Sequence, residues 1–170
     1  MTLSLTDPSL LRTQAFINGE WCDADDGARM AVHNPATGAT IAEIARVGAA
    51  ETRRAIAAAA TAMKDFRRLP AKTRAQLLRG WFDLLMEHQD DLARLMTAEQ
   101  GKPFNEAKGE VAYGAAFVEW FGEEAKRIYG DVIPGPADDR RIVCIRQPVG
   151  VVAAITPWNF PIAMITRKVG

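Results

Sequence analysis

The spacing of apolar residues changes character along the chain, and each change predicts a different element. Up to about residue 47 the apolar positions come in short runs broken by turn chemistry. Phe16-Ile17-Asn18-Gly19-Glu20-Trp21 reads as two short strands around an Asn-Gly turn. Residues 23–27 are polar and turn-like, Asn34-Pro35-Ala36-Thr37-Gly38 is a second turn, and residues 40–45 form another alternating run. This stretch predicts a small set of β-hairpins behind a loose lead-in over residues 1–13.

The period then becomes helical. Over residues 49–68, Ile56, Ala59, Ala60, Met63 and Phe66 fall at three- and four-residue spacing. Pro70 ends that helix and opens the next, whose inner face is Leu77, Leu78, Trp81, Leu84 and Leu85. A third helix covers about 90–100 with Leu92, Leu95 and Met96 inward, and Gly101 with Pro103 beyond it supplies the stop. A long helix over about 103–129 carries the stripe Ala107, Val111, Ala115, Val118, Phe121, Ala125 and Ile128. Gly109, Gly114 and Gly122 lie inside it. Each costs about 1 kcal/mol against Ala in an exposed helix, which predicts close approach of a neighbouring element.

Past residue 130 the pattern changes again. Residues 130–139, with Pro134, Gly135 and Pro136, read as a loop, and 140–146 alternate as a half-exposed strand. Residues 149–155 are apolar without alternation, the signature of a strand buried on both faces in a parallel sheet. Thr156-Pro157-Trp158-Asn159-Phe160-Pro161 is a turn, and Pro161 suits the first position of a helix running on from Ile162. A parallel strand needs neighbours reached by crossovers, and no further strand pattern follows within the 170 residues.

Composition narrows the class. Apolar residues make up 48% and charged residues 25%, which excludes wholesale disorder. Lys plus Arg and Asp plus Glu each number 21, so the basic excess that neutralises phosphates is missing and no nucleic-acid partner is expected. No run approaches the ~20 apolar residues of a membrane span, and residues 1–14 lack the basic start and apolar block of a secretory signal. A soluble cytoplasmic protein is the expectation. Cys22 and Cys144 cannot build a disulfide framework, and neither has a visible activating partner. His33 and His88 show no metal-ligand spacing, so no metal is expected. No G-x-G-x-x-G or Walker loop occurs. Glu99, Glu106 and Glu110 lie on helical segments whose charged faces are expected to meet water.

The strand–turn–helix over 149–168 is the best place for chemistry, because ligands of α/β sheets bind at the carboxyl ends of strands. Trp158 and Asn159 fall there. Asn159 has two readings: its amide donates to a developing oxyanion, or its side chain caps the following helix. Phe160, Ala163, Met164 and Arg167 share one helical stripe. An Arg ending an apolar stripe either clamps a carboxylate or snorkels to solvent. Lys168 beside it serves proton transfer or is simply solvated.

Several short pieces carry a resemblance to the aldehyde dehydrogenase superfamily. They are Phe16-Ile17-Asn18-Gly19-Glu20-Trp21, Asn34-Pro35-Ala36-Thr37-Gly38, Glu99-Gln100-Gly101-Lys102-Pro103, Glu106-Ala107-Lys108-Gly109-Glu110 and Pro148-Val149-Gly150-Val151 leading into Thr156-Pro157-Trp158-Asn159-Phe160-Pro161. Each is weak alone. Their order and spacing from residue 15 onward make them strong together. A narrower likeness, to the succinate-semialdehyde dehydrogenases, rests on residues 86–96, Phe117-Val118-Glu119-Trp120-Phe121, Lys126-Arg127-Ile128-Tyr129-Gly130 and Ala163-Met164-Ile165-Thr166-Arg167-Lys168.

That resemblance implies an α/β fold of aldehyde-dehydrogenase type. Its N-terminal part consists of β-hairpins, a helical bundle, and the first strand–turn–helix of an incomplete Rossmann-like parallel sheet. Residues 1–131 correspond to the N-terminal part of the cofactor-binding domain. Residues 132–148 correspond to a loop and strand of an oligomerisation arm, and 149–170 to the start of the dinucleotide-binding sheet. The implied reaction is oxidation of succinate semialdehyde to succinate with NADP or NAD. A Cys thiolate attacks the aldehyde, hydride leaves to the nicotinamide, and a Glu-activated water hydrolyses the thioester.

In this scheme Asn159 donates to the oxyanion and Lys168 assists proton transfer. Ile155, Thr156, Pro157, Trp158 and Asn159 lie against the cofactor. Phe160 and Met164 wall the substrate pocket, and Arg167 holds the distal carboxylate. The partners implied are a small aldehyde and further copies of the chain, as dimer or tetramer. The family's nucleophilic Cys and general-base Glu fall beyond residue 170, so the chain is expected to be an N-terminal piece, inactive and poorly stable alone. Two alternatives remain: another carboxylated semialdehyde such as glutarate semialdehyde, or a non-catalytic helical binding or assembly module ending naturally at residue 170.

Overall fold

The computed structural model describes residues 3–170. β1 (Ala15–Ile17) and β2 (Glu20–Cys22) pair antiparallel about Asn18 and Gly19, which both take positive φ, 55° and 85°, as a two-residue hairpin turn requires. Phe16 faces Trp21 across the pair, with ring centroids 5.0 Å apart. β3 (Arg29–His33) and β4 (Thr40–Ala45) form a second hairpin. Asn34 Oδ1 shapes its turn by accepting the Ala36 and Thr37 N–H groups at 2.9 and 3.2 Å. The expected hairpins are therefore present.

From residue 3 onward the lead-in is tied down rather than loose; residues 1 and 2 of that expectation lie outside the described residues. Pro8–Leu10 makes a single 3-10 turn, and the N–H groups of Thr6 and Asp7 donate to the two carboxylate oxygens of buried Asp91 at 3.0 and 2.8 Å. A local pattern does not register a tether reaching 85 positions along the chain.

Four helices follow: α1 (Ala49–Phe66), α2 (Ala71–Glu87), α3 (Gln89–Gln100) and α4 (Phe104–Glu124). α4 is the axis of the packing. Its buried face is built from Ala107, Glu110, Val111, Gly114, Ala115, Val118 and Gly122. Ala93 and Met96 of α3 join Ala107 and Val111 in the core. A Cβ at Gly122 would stand 3.2 Å from Leu78 Cβ of α2, so that crossing depends on the missing side chain. Gly109, in contrast, has open space around it, and the close approach expected there does not occur. Phe121 and Ile128, expected on the inner stripe, are exposed, and α4 ends before Ile128. Ile56 and Phe66 of α1, and Leu77 and Leu84 of α2, are exposed as well. Helical spacing sets which residues share a face, not what covers it.

Residues 131–144 depart from expectation. β5 (Asp131–Pro134) pairs antiparallel with β6 (Arg141–Cys144), so the start of the expected loop is a strand. The Pro and Gly residues mark the hairpin's turn and mask the short strand before it. Both faces of β5 and β6 are exposed. Residues 149–155 form no strand; Val149 is 94% exposed. Their composition suits a buried parallel strand, but no neighbouring strand is present among the described residues to complete the ladder. α5 (Pro161–Val169) begins at Pro161 as expected and docks on α4. A Cβ at Gly114 would lie 2.9 Å from Ile162 Cγ2 and 3.3 Å from Ala163 Cα.

No helix among the described residues is long and apolar enough to cross a membrane. No cluster of metal-ligating side chains occurs among them.

The two glycines of α4 should respond differently to substitution. Gly114→Val should destabilise the protein by about 1–3 kcal/mol through overpacking against α5, whereas Gly109→Ala, in open space, should be neutral or stabilising by up to ~1 kcal/mol. Denaturant unfolding of the two variants checks the contrast, and equal effects would contradict it. The tether of the lead-in should respond to pH. The Thr6 and Asp7 N–H groups, and then Arg94, hold the Asp91 carboxyl below its ordinary 3.8. Its contribution is therefore full above that value and is lost as pH falls through the depressed one. Exchange protection of the Thr6 and Asp7 amides should drop over that acid range, and Asp91→Asn should abolish the dependence.

Candidate functional site

The turn ahead of α5 is held by residues from two other elements. α3 stops at Gly101, which takes the left-handed conformation (φ 81°) and where a Cβ would sit 3.1 Å from Pro35 Cγ. The chain then turns through Lys102 and Pro103 into α4. This places Lys102 and Glu110 side by side as an ion pair, with side chains only 11% and 1% exposed.

Glu110 meets a specific need at the start of α5. Pro161 has no N–H, and the side chain of the N-cap residue, Phe160, cannot accept a hydrogen bond. The next two N–H groups, of Ile162 and Ala163, donate to Glu110 Oε1 at 3.0 and 3.3 Å. A carboxylate at a helix N-terminus also faces the positive end of the helix dipole. Glu110 Oε2 takes the Lys102 ammonium. Lys102 Nζ donates in turn to the Asn159 carbonyl at 3.0 Å and stands 4.1 Å from the Phe160 ring centroid. Gln100 Nε2 donates to the same carbonyl at 3.2 Å.

Asn159 is therefore bound through its main chain. Its carboxamide makes no hydrogen bond among the described residues and does not cap α5, so the capping reading is not realised. The residue is exposed. Before it, Ile155, Pro157 and Trp158 are exposed, Trp158 at 80%, while Thr156 is half-buried. Phe160 is exposed beside Lys102.

The other expected residues lie further along α5. Met164 is half-buried, and Arg167 and Lys168 are exposed and form no ion pair among the described residues. Arg167 reaches back along the helix, with one guanidinium nitrogen 3.9 Å from Met164 Sδ. Its guanidinium carbon lies 5.2 Å from the Phe117 ring centroid on α4, and Tyr113 packs edge-on against Phe117 at 4.8 Å. The result is an open cationic group on an aromatic and thioether platform, fit to meet a carboxylate. Cys22 lies in β2, where its thiol meets the Ala15 carbonyl, and Cys144 lies in the exposed β6. Neither belongs to this turn.

Sequence reasoning missed Lys102, Gln100, Tyr113 and Phe117 and misjudged Glu110, which is buried rather than solvated. A signal existed for Glu110: it sits three residues after Ala107 and four before Gly114, inside the apolar stripe. Tyr113 and Phe117 are an i,i+4 aromatic pair. Lys102 and Gln100 flank a helix stop, and their reach to residue 159 is purely tertiary.

The site can be set beside known proteins. The model of the aldehyde dehydrogenase family matches residues 21–170. Glutarate-semialdehyde dehydrogenase of Pseudomonas aeruginosa is 64% identical over 168 residues, covering 99% of this chain and 35% of that protein. The NADP(+) succinate-semialdehyde dehydrogenase of Escherichia coli K12 is 61% identical over 168 residues, with the same two coverages of 99% and 35%. The crystal structure of succinate-semialdehyde dehydrogenase from Burkholderia pseudomallei superposes with a TM-score of 0.96 at 57% identity, over 98% of this chain and 35% of that one. The chain thus spans about a third of the length of the curated relatives it matches.

Proposed function

Because the chain belongs to the aldehyde dehydrogenase family, we propose that it supplies the oxyanion-binding and substrate-anchoring residues of an enzyme that oxidises a short semialdehyde bearing a distal carboxylate. Succinate semialdehyde is the proposed substrate. The carrying observation is the pairing of two polar groups that have no partner among the described residues: the carboxamide of Asn159, just ahead of α5, and the guanidinium of Arg167 on its face. About 9 Å of helix rise separates Pro161, two residues after Asn159, from Arg167, and Arg167 folds back toward the head, as helical side chains do.

Asn159 donates to the oxygen of the reacting carbonyl as it gains negative charge, an effect that grows toward the transition state. Arg167 binds the far carboxylate and so fixes which end of the substrate faces Asn159. Phe160 and Met164, with Tyr113 and Phe117, give the apolar walls between. Lys168, one residue beyond Arg167 and exposed, is assigned to assist proton transfer. The nucleophile and general base are not assigned to Cys22, Cys144 or Glu110; the proposal takes them from sequence outside residues 1–170.

NADP or NAD, when bound, accepts the hydride. The exposed stretch from Ile155 to Trp158 fits such a group: Ile155 and Trp158 offer uncovered apolar surface, and Thr156 and Asn159 offer polar atoms beside it. The exposed apolar residues Val132, Val143 and Ile145 in and beside the β5–β6 hairpin support its use as an arm between subunits. A second reading, glutarate semialdehyde, is favoured by the 64% identity to a dehydrogenase of that name; Arg167 serves either carbon-chain length.

These assignments are tested in the protein as it occurs in the cell, with whatever sequence adjoins residues 1–170. Asn159→Ala should lower kcat by about 10²–10³ with little change in cofactor binding, because Ile155, Thr156, Trp158 and the main chain of residue 159 remain. Wild-type turnover would end the oxyanion role. Arg167→Ala should raise KM for succinate semialdehyde about 10–100-fold, as loss of a charged hydrogen bond implies, and leave KM for an uncharged aldehyde of similar length nearly unchanged. Parallel effects on both substrates would remove the clamp. The ratio of kcat/KM for succinate and glutarate semialdehydes decides between the two substrates.

A further inference from the structure

We propose that Glu110 and Lys102 are positioning residues for Asn159, a buried ion pair that sets the main chain on both sides of it so that the carboxamide is presented in one place. The proposal rests on the reading of Asn159 as the oxyanion donor. Among the described residues the turn has few other ties. The residues before it, 149–155, pair with no strand among the described residues, Pro161 offers no N–H, and the Phe160 side chain accepts nothing.

The contacts bracket the turn. On one side the Asn159 carbonyl accepts from Lys102 Nζ at 3.0 Å and Gln100 Nε2 at 3.2 Å. On the other the Ile162 and Ala163 amides donate to Glu110 Oε1 at 3.0 and 3.3 Å. The ion pair between Lys102 and Glu110 Oε2 joins the two halves. A movement of Asn159 must break its carbonyl's exposed bonds to Lys102 and Gln100 and, through the ion pair, pull on the Glu110 contacts, which are buried or part-buried and where a lost partner is not replaced. An oxyanion donor is useful only when already aimed, and a misplacement of about 1 Å can remove ~10²-fold in rate.

The charge matters as well as the shape. A glutamine at position 110 could still accept from the two amides through its carbonyl oxygen, but more weakly, because a neutral acceptor replaces a charged one. It could not hold the ammonium, and Lys102 would be free to leave the Asn159 carbonyl. Glu110→Gln should therefore uncouple the halves without emptying the space.

The experiment is a double-mutant cycle between Glu110→Gln and Asn159→Ala in the protein as it occurs in the cell, with amide exchange at Ile162 and Ala163 as a second readout. In the Asn159 background, Glu110→Gln should lower kcat about 10–100-fold, leave KM for aldehyde and cofactor within twofold, and speed exchange at both amides. In the Asn159→Ala background the same change should lower kcat by less than about twofold, since there is no carboxamide left to misplace. Equal losses in both backgrounds would overturn the positioning role while leaving the donor role intact. Faster exchange with unchanged kcat would make the pair structural only and would overturn it too. Full turnover in Asn159→Ala alone would overturn the donor reading and the proposal with it. Should Glu110→Gln fail to fold, Lys102→Met, which leaves the carboxylate on the two amides, takes its place in the cycle, and the same pattern of losses supports or overturns the role.

Discussion

Glu110 carries a negative charge into a place almost closed to water, and the arrangement around the turn depends on how that charge is met. Removing one partner of a buried ion pair generally costs ~3–5 kcal/mol, because the other is left charged and dry. Here the partners are an ammonium and two helix-end amides, drawn from the α3–α4 connection and from α5. One carboxylate thus serves as counter-ion and as the helix cap that the local sequence of α5 lacks. The join between α4 and α5 is electrostatic at its head and steric along its length, where Gly114 admits Ile162 and Ala163.

The small residues of α4 are the complement of that join. Its inner face is nearly all Ala, Gly and Val, with Glu110 the exception. Such a face buries little area per residue but lets helices approach until backbones nearly touch. The short reach from Glu110 to the α5 amides is a product of this closeness. A bulkier face would hold α5 away and leave the carboxylate without donors. Packing and polar chemistry along α4 are therefore one design.

Much of the fold is legible in the sequence because the signals are local. Asn18-Gly19 marks its hairpin, Gly101 its helix stop and Pro161 its helix start, each by a conformational preference that acts within a residue or two. The failures share a cause. Asp131–Pro134 is hidden by the turn residues after it, and residues 149–155 carry the composition of a strand whose ladder depends on partners elsewhere. Along the turn, Asn159 and Arg167 are legible from motif resemblance and helical stripe. Lys102 and Gln100 are not, since nothing within a few residues of them foretells a bond to position 159. Glu110 is legible in principle: a carboxylate in the middle of an apolar stripe asks to be paired.

The anchoring of residues 159–163 bears on how the segment ahead of them joins a sheet. A strand free at both ends can slide by one residue against a neighbour, and each such step turns every side chain to the opposite face. The run 149–155 is not free in this sense. Four residues past its end the Asn159 carbonyl is held by Lys102 and Gln100, and seven and eight residues past it the Ile162 and Ala163 amides are held by Glu110 of α4. A strand pairing with this run would therefore meet a chain whose freedom to slide is limited at one end by the fixed point at residue 159.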